Sequence, residues 1–255
     1  MHADLLKELS KHVPQSITGK QTHINALLYG DWGVGKTSLA CSSGRRTLII
    51  SSGDGGESVL RNNDLNKQDS VSIVQCQGLS HVKAIFNAVI EQHKDYKHYE
   101  VLVVDTISSI CDQYLRNLVE NYNVSKDRST AKPKLTGQTL EAPGMGDYKF
   151  LTHHMQDLVP VSSAVPADIV WLSHEREPSF TDEAKGIYLT RPKMPEKASD
   201  ALAEVCDVVG LMEKKKQGKD IKRTLRFDGS DRVAAKSRIA SLEGQTINVD
   251  DFWKM

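Results

Sequence analysis

The chain has 255 residues, 39% hydrophobic and 26% charged, enough apolar content for a substantial core in one large domain. Its 33 basic residues balance 33 acidic ones, so no global field advertises nucleic acid and any polyanion-binding surface has to be local. No stretch has the length of a membrane span or the pattern of a secretory leader, and the four cysteines, Cys41, Cys76, Cys111 and Cys206, are too far apart for a metal knuckle; together these predict a cytoplasmic protein with reduced core thiols and no membrane association.

Leu5, Leu6 and Leu9 predict a short amphipathic helix over Asp4–Lys11, ended by Pro14, in an N-terminal arm of residues 1–19 that precedes a domain of residues 20–255. A strand over Ile24–Tyr29 comes next, then a glycine-rich turn and a helix from Lys36 to about Ser43. Thr47–Ser51 reads as a strand tipped by Ser52-Gly53-Asp54-Gly55-Gly56-Glu57, and Val71–Gln75 as a third. Ser80 caps a predicted helix to about Lys94 with Val82, Ile85, Phe86, Val89 and Ile90 on one face. Val101–Thr106 is a run buried on both faces, followed by a helix from about Ser109 to Tyr122. From 123 to 146 the chain is rich in Ser, Lys, Thr, Pro and Gly without hydrophobic period, which predicts a mobile loop. A helix from Asp147 to about Leu158 and a strand over Ala167–Leu172 return to order, before a second mobile loop at about 177–195. The helix Glu196–Cys206, the strand Asp207–Met212, and alternating segments Ile221–Phe227 and Arg232–Ala235 paired as a hairpin edge complete the chain. Strands alternating with helices predict an α/β fold, a mostly parallel twisted sheet flanked by helices, with antiparallel C-terminal edge strands.

The turn after the first strand reads Gly30-Asp31-Trp32-Gly33-Val34-Gly35-Lys36-Thr37-Ser38, the phosphate-cradling P-loop pattern in its required strand–turn–helix context. Glycines let the backbone amides wrap an anion, Lys36 reaches the β and γ phosphates, and the Thr37 hydroxyl ligates Mg²⁺. Asp105 ends an apolar strand and so belongs beside the loop mouth as the second metal-side oxygen. The neighbour of Asp105 is Thr106, which argues against the Asp-Glu arrangement of the AAA+ machines. Asn66-Lys67-Gln68-Asp69 matches a guanine-reading motif, but it precedes the Asp105 strand where GTPases place it after, so it reads as a turn.

These segments, together with Ile49–Leu60, Val101–Ile110, Gly146-Asp147-Tyr148, Trp171–Glu175 and Ala235-Lys236-Ser237-Arg238, resemble the RecA/RadA recombinase core, and more closely the small phage ATPases of that superfamily that act in single-strand annealing. The resemblance covers most of the chain from about residue 20 and implies a RecA-like P-loop core, ATP and Mg²⁺ as ligands, and an ATPase activity stimulated by DNA. It places Asp54 where the family has a water-polarising glutamate; aspartate is one methylene shorter, so Glu57 is the alternative, and a plain turn is a third reading. His174 falls at the γ-phosphate sensor position, where a ring N–H can donate. Lys236 and Arg238 resemble the Lys-x-Arg fingers that enter a neighbouring subunit's ATP site, which implies a homo-oligomer, ring or filament, with sites at subunit interfaces.

By the same resemblance the two mobile segments fall where recombinases carry DNA loops. Candidate contacts are Lys126, Arg128, Lys132 and Lys134 in the first, and Lys185, Arg191 and Lys193 in the second. Lys214, Lys215 and Lys216 form the densest basic run and are a third candidate. The expected function is recombination by annealing or strand exchange on single-stranded DNA, in a bacteriophage-type protein at work in the host cytoplasm, with a single-strand-binding protein left open as a further partner. Two other classes fit the residues: a nucleotide-gated regulator that acts through a protein partner without DNA-stimulated turnover, and a helicase-like motor.

Overall fold

A computed structural model describes residues 23–53, 70–124, 143–176, 190–218, 220–230 and 232–254. The predicted arm helix and the tip carrying Asp54 and Glu57 lie outside these residues. So does most of both predicted mobile loops, including Lys126, Arg128, Lys132, Lys134 and Lys185.

Runs of apolar residues with no polar alternation make the centre of the sheet. β1 (Asn25–Gly30), β2 (Thr47–Ser51) and β4 (Val101–Asp105) are buried along their whole length. β5 (Asp168–Arg176) is buried over its first six residues, and β3 (Val71–Gln75) is the half-exposed edge. The helices are α1 (Lys36–Ala40), α2 (Leu79–Ile90), α3 (Ile107–Val124), α4 (Met145–Ser163) and α5 (Glu196–Val205). Short β6 (Arg191–Pro192) precedes α5, and β7 (Val208–Gln217), β8 (Asp220–Arg226), β9 (Lys236–Ser237) and β10 (Thr246–Asn248) follow it.

The sheet order is β10-β8-β7-β1-β5-β4-β2-β3, with β6 on β5 and β9 on β7. From β7 to β3 every pairing is parallel, whereas β8, β9 and β10 run antiparallel at the C-terminal edge. This is the expected α/β architecture, a mostly parallel sheet with antiparallel C-terminal edge strands. Alternate residues of β1 enter separate cores: Leu27 and Tyr29 pack with α2–α5, while Ala26 and Leu28 face α1 and the C-terminal 3₁₀ turns. Trp171 anchors the larger core, edge-on to Phe86 at 5.5 Å, and its indole N–H donates to Asn25 Oδ1 at 2.8 Å.

Several boundaries differ from expectation for identifiable reasons. α1 stops at Ala40, a single turn and a half, because the chain must bend into β2. Gly78, not Ser80, is the N-cap of α2, and the helix ends at Ile90 rather than Lys94. α4 starts earlier, since Asp147 Oδ2 accepts from the Gly144 amide at 2.7 Å in a reciprocal cap, and it runs through Pro160 to Ser163. The C-terminal hairpin is β7–β8 and not Ile221–Phe227 with Arg232–Ala235; Val233 makes only isolated bridges to Thr190 and Ser230. β7 therefore extends through Lys214-Lys215-Lys216, where ladder bonds to β8 compensate for the lack of burial.

Gly210 is the point where β7 passes the C-terminal core. A Cβ there would meet Phe227 Cε1 at 2.8 Å and Leu28 Cδ2 at 3.2 Å. Gly210→Ala should lower the unfolding free energy by about 1–3 kcal/mol through overpacking, read by denaturant titration; wild-type stability in this variant would contradict the packing described.

Candidate nucleotide-binding site

Two parallel ladders, β1–β5 and β5–β4, bring the P-loop, Asp105 and His174 to one end of the sheet. Gly30 is level with His174 across β1–β5, and Asp105 with Leu172 across β4–β5. β5 lies between the loop strand and the carboxylate strand, so His174, two residues beyond Leu172, projects from between them. The polar groups converge on a cavity of about 550 Å³ lined by Lys36, Thr37, Ser38, Asp105, His174 and Arg223 among others, with Trp32, Gly33 and Gly35 at its rim.

The loop geometry explains its glycines. Gly30 passes so close to β7 that a Cβ would stand 2.3 Å from the Met212 carbonyl oxygen. Gly33 and Gly35 take φ of 65° and 103°, in the region side chains disfavour. Lys36 is 7% exposed and donates to the Gly30 carbonyl at 2.8 Å and the Asp31 carbonyl at 2.9 Å, which holds its ammonium over the loop. Burial lowers its pKa, opposed by the nearby charges of Asp105, Asp31 and Glu175. Val34 packs into the smaller core, while Asp31 Oδ1 accepts from the Trp32 amide at 2.6 Å.

The Thr37 hydroxyl donates to Asp105 Oδ2 at 2.8 Å. Burial raises the Asp105 pKa, and the Thr37 hydrogen bond and the Lys36 charge pull it back down. Two hard oxygens at this spacing fit Mg²⁺, an ion that takes one or two protein oxygens and fills its octahedron with phosphate and water. Among the described residues no group of three or more His, Cys, Asp or Glu could hold a metal without such help.

His174 stacks on Trp32, ring centroids 3.9 Å apart and 18° from parallel, although Trp32 itself is 72% exposed. Its Nδ1 is buried with no hydrogen-bond partner among the described residues. Burial, then the charges of Lys36 and Lys193, lower its pKa to about 4, so the ring is neutral at pH 7. A hydroxyl chain fixes its backbone: the His174 amide donates to Ser108 Oγ at 3.2 Å, and Ser108 donates to Thr106 Oγ1 at 3.1 Å. Thr106 and Ser109 pair at 2.8 Å, and both line the cavity. The sequence reading missed this chain because small hydroxyl residues after a strand look like an ordinary helix start.

The remaining candidates fall elsewhere. β9 pairs Lys236 with Val209, whose partner on β1 is Leu27, so the Lys-x-Arg pair sits about 10 Å below Gly30 at a strand rise of about 3.3 Å per residue. Lys236 Nζ donates to the Glu204 carbonyl at 3.4 Å, and Arg238 Nη2 donates to the same oxygen; together they cap the C-terminus of α5. Neither joins the chain's own phosphate cavity. Arg191 is paired with Glu196 at 3.0 Å, and Lys193 borders His174, donating its amide to the His174 carbonyl at 2.7 Å. Lys214 lines a hollow beside Asp31 and Trp32, whereas Lys215 and Lys216 line another with Lys222 and Arg226. Arg223 also lines the cavity, a site residue that no motif in the sequence marks. Its signal was a cation on the otherwise apolar face of Ile221, Leu225 and Phe227.

Residues 22–239 match the AAA_24 family, described as an AAA domain. The chain belongs to that family. The match gives it the nucleotide-binding ATPase fold of an AAA domain. No curated protein matches it in sequence. Among solved structures, a KaiC-like protein from the hyperthermophilic archaeon Pyrococcus horikoshii OT3 is 13% identical, with 88% of this chain and 83% of that one covered at a TM-score of 0.48. Among the described residues no helix is long and apolar enough to cross a membrane.

The depressed His174 pKa carries a sign. Between pH 6.5 and about 4 the unfolded chain takes up a proton on His174 that the folded chain refuses, so stability present above pH 6.5 is lost as pH falls through that window. Wild type should therefore lose more stability than His174→Gln between pH 7.5 and pH 5, measured by denaturant midpoints; parallel pH profiles would refute the burial assigned to the ring.

Proposed function

We propose that this protein hydrolyses ATP, assembles as a homo-oligomer on single-stranded DNA and promotes annealing or strand exchange in recombination. The observation that carries the ATPase part is the convergence of Lys36, the Thr37–Asp105 pair and His174 on one cavity. In this reading the triphosphate lies in the loop amides and Lys36 exchanges its loop carbonyls for phosphate oxygens. Thr37 and Asp105 would hold Mg²⁺, which would supply charge neutralisation for the triphosphate. A water, oriented by Asp54 or Glu57, attacks the γ-phosphorus as the bond to the bridging oxygen of ADP breaks. His174, neutral at pH 7, donates to the terminal phosphate.

The oligomer is supported by Lys236 and Arg238 lying outside their own chain's cavity, with Lys236 level with Leu27 of β1. In this reading they reach from the end of α5 to a neighbour's nucleotide, where such cations are worth roughly 10³ to 10⁵ in rate. DNA binding is supported by the basic strand ends, since Lys215, Lys216, Lys222 and Arg226 line one hollow.

Steady-state turnover tests this with a single-stranded oligonucleotide across a salt series. The rate should rise with oligonucleotide, fall with salt, and drop by about 10² or more in Lys36→Ala. Lys236→Ala/Arg238→Ala should be as inactive as Lys36→Ala when alone, yet a mixture of the two should regain turnover, because one supplies intact fingers and the other an intact loop. A DNA-indifferent rate with no recovery on mixing would sink the reading.

A further inference from the structure

Among the described residues Arg223 is the one cation lining the cavity besides Lys36, and the proposed hydrolysis gives it no part. It stands on β8 opposite Lys214, half-buried, with neighbours Lys222 and Thr224 turned to the other face of the hairpin. Its Nε donates to the Val34 carbonyl at 3.0 Å, and a Cβ on Gly35 would lie 3.3 Å from that nitrogen. The guanidinium thus rests against the turn of the loop whose amides face the phosphates. Among the described residues its terminal nitrogens have no hydrogen-bond partner and no carboxylate within 4.0 Å.

We infer that Arg223 is a nucleotide-phosphate contact, a second cation delivered to the P-loop by the C-terminal hairpin of the same chain. The inference rests on the nucleotide-site reading above and extends it. The electrostatics favour it: a magnesium-bound triphosphate stays anionic, Lys36 offsets one charge, and Asp105 contributes a negative one within the same walls. His174 is neutral and adds nothing to the sum. An arginine fixed through Nε keeps both terminal nitrogens in one plane for a pair of phosphate oxygens, at little further loss of side-chain freedom. Placement through Val34 also ties the hairpin to the loop, so a contact made by Arg223 is felt by β7 and β8 together.

Calorimetric titration of the full chain with Mg²⁺ and the slowly hydrolysed analogue ATPγS separates charge from scaffolding. Arg223→Gln keeps an N–H for the Val34 carbonyl and removes the charge, whereas Arg223→Lys keeps the charge and loses the fork. Affinity should fall about tenfold to a hundredfold in Gln and recover to within severalfold of wild type in Lys. Equal losses in both, or no loss in Gln, would overturn the inference. In the unsubstituted protein, Mg²⁺-ATPγS should protect Arg223 but not Arg226 from phenylglyoxal, read by peptide mass spectrometry; equal modification with and without nucleotide would overturn it too, even if Arg223→Gln fails to fold. Wild type that binds no ATPγS, like Lys36→Ala, would instead condemn the nucleotide-site reading itself.

Discussion

The parallel pairing of β5 between β1 and β4 is the constraint on which the site depends. Side chains on a strand have a period of two, and slipping β5 by one residue would turn His174 to the other face and move Trp171 out of its core. The register is held by burial: Ile169 to Leu172 are almost inaccessible, and the Trp171 indole is locked to Asn25 at the start of β1. Core packing on one face of the sheet thus fixes the relative height of three polar groups at its end.

That end of the molecule concentrates groups that the interior would reject singly. Lys36 and Asp105 are both buried, and burial alone would neutralise each. Their mutual attraction, the Thr37 hydroxyl and the Gly30 and Asp31 carbonyls oppose that cost. Such an arrangement is preorganised for an anion and a cation together, because charged partners replace hydrogen bonds already aimed at the right places. His174 is tuned the other way, kept neutral by burial and by two lysines, so its charge state does not vary near pH 7.

The β7–β8 hairpin carries two different electrostatic surfaces on one ribbon. Arg223 and Lys214 face the P-loop side, and Lys215, Lys222 and Arg226 face the other. The formal neutrality of the chain conceals this separation, which arises from strand alternation and not from composition.

Much of this was legible in the sequence. The continuous apolar runs at 101–104 and 47–50 could only be buried parallel strands, and the loop glycines and Lys36-Thr37 identified a phosphate site through local backbone requirements. Asp105 followed as the polar end of a buried strand, whereas His174 came from the resemblance to the recombinase core. Local pattern erred where a neighbour decides the outcome: β7 runs past Met212 because β8 hydrogen-bonds a lysine-rich segment, and α4 survives Pro160 because its inner face is packed. The sequence by itself determined the chemistry present, since the loop motif and the strand-terminal carboxylate are short-range features. Only the tertiary structure decided which cations share the cavity. It set Arg223 against Val34 across 189 positions and left Lys236 and Arg238 outside that cavity, because strand pairing between distant segments carries no local signature.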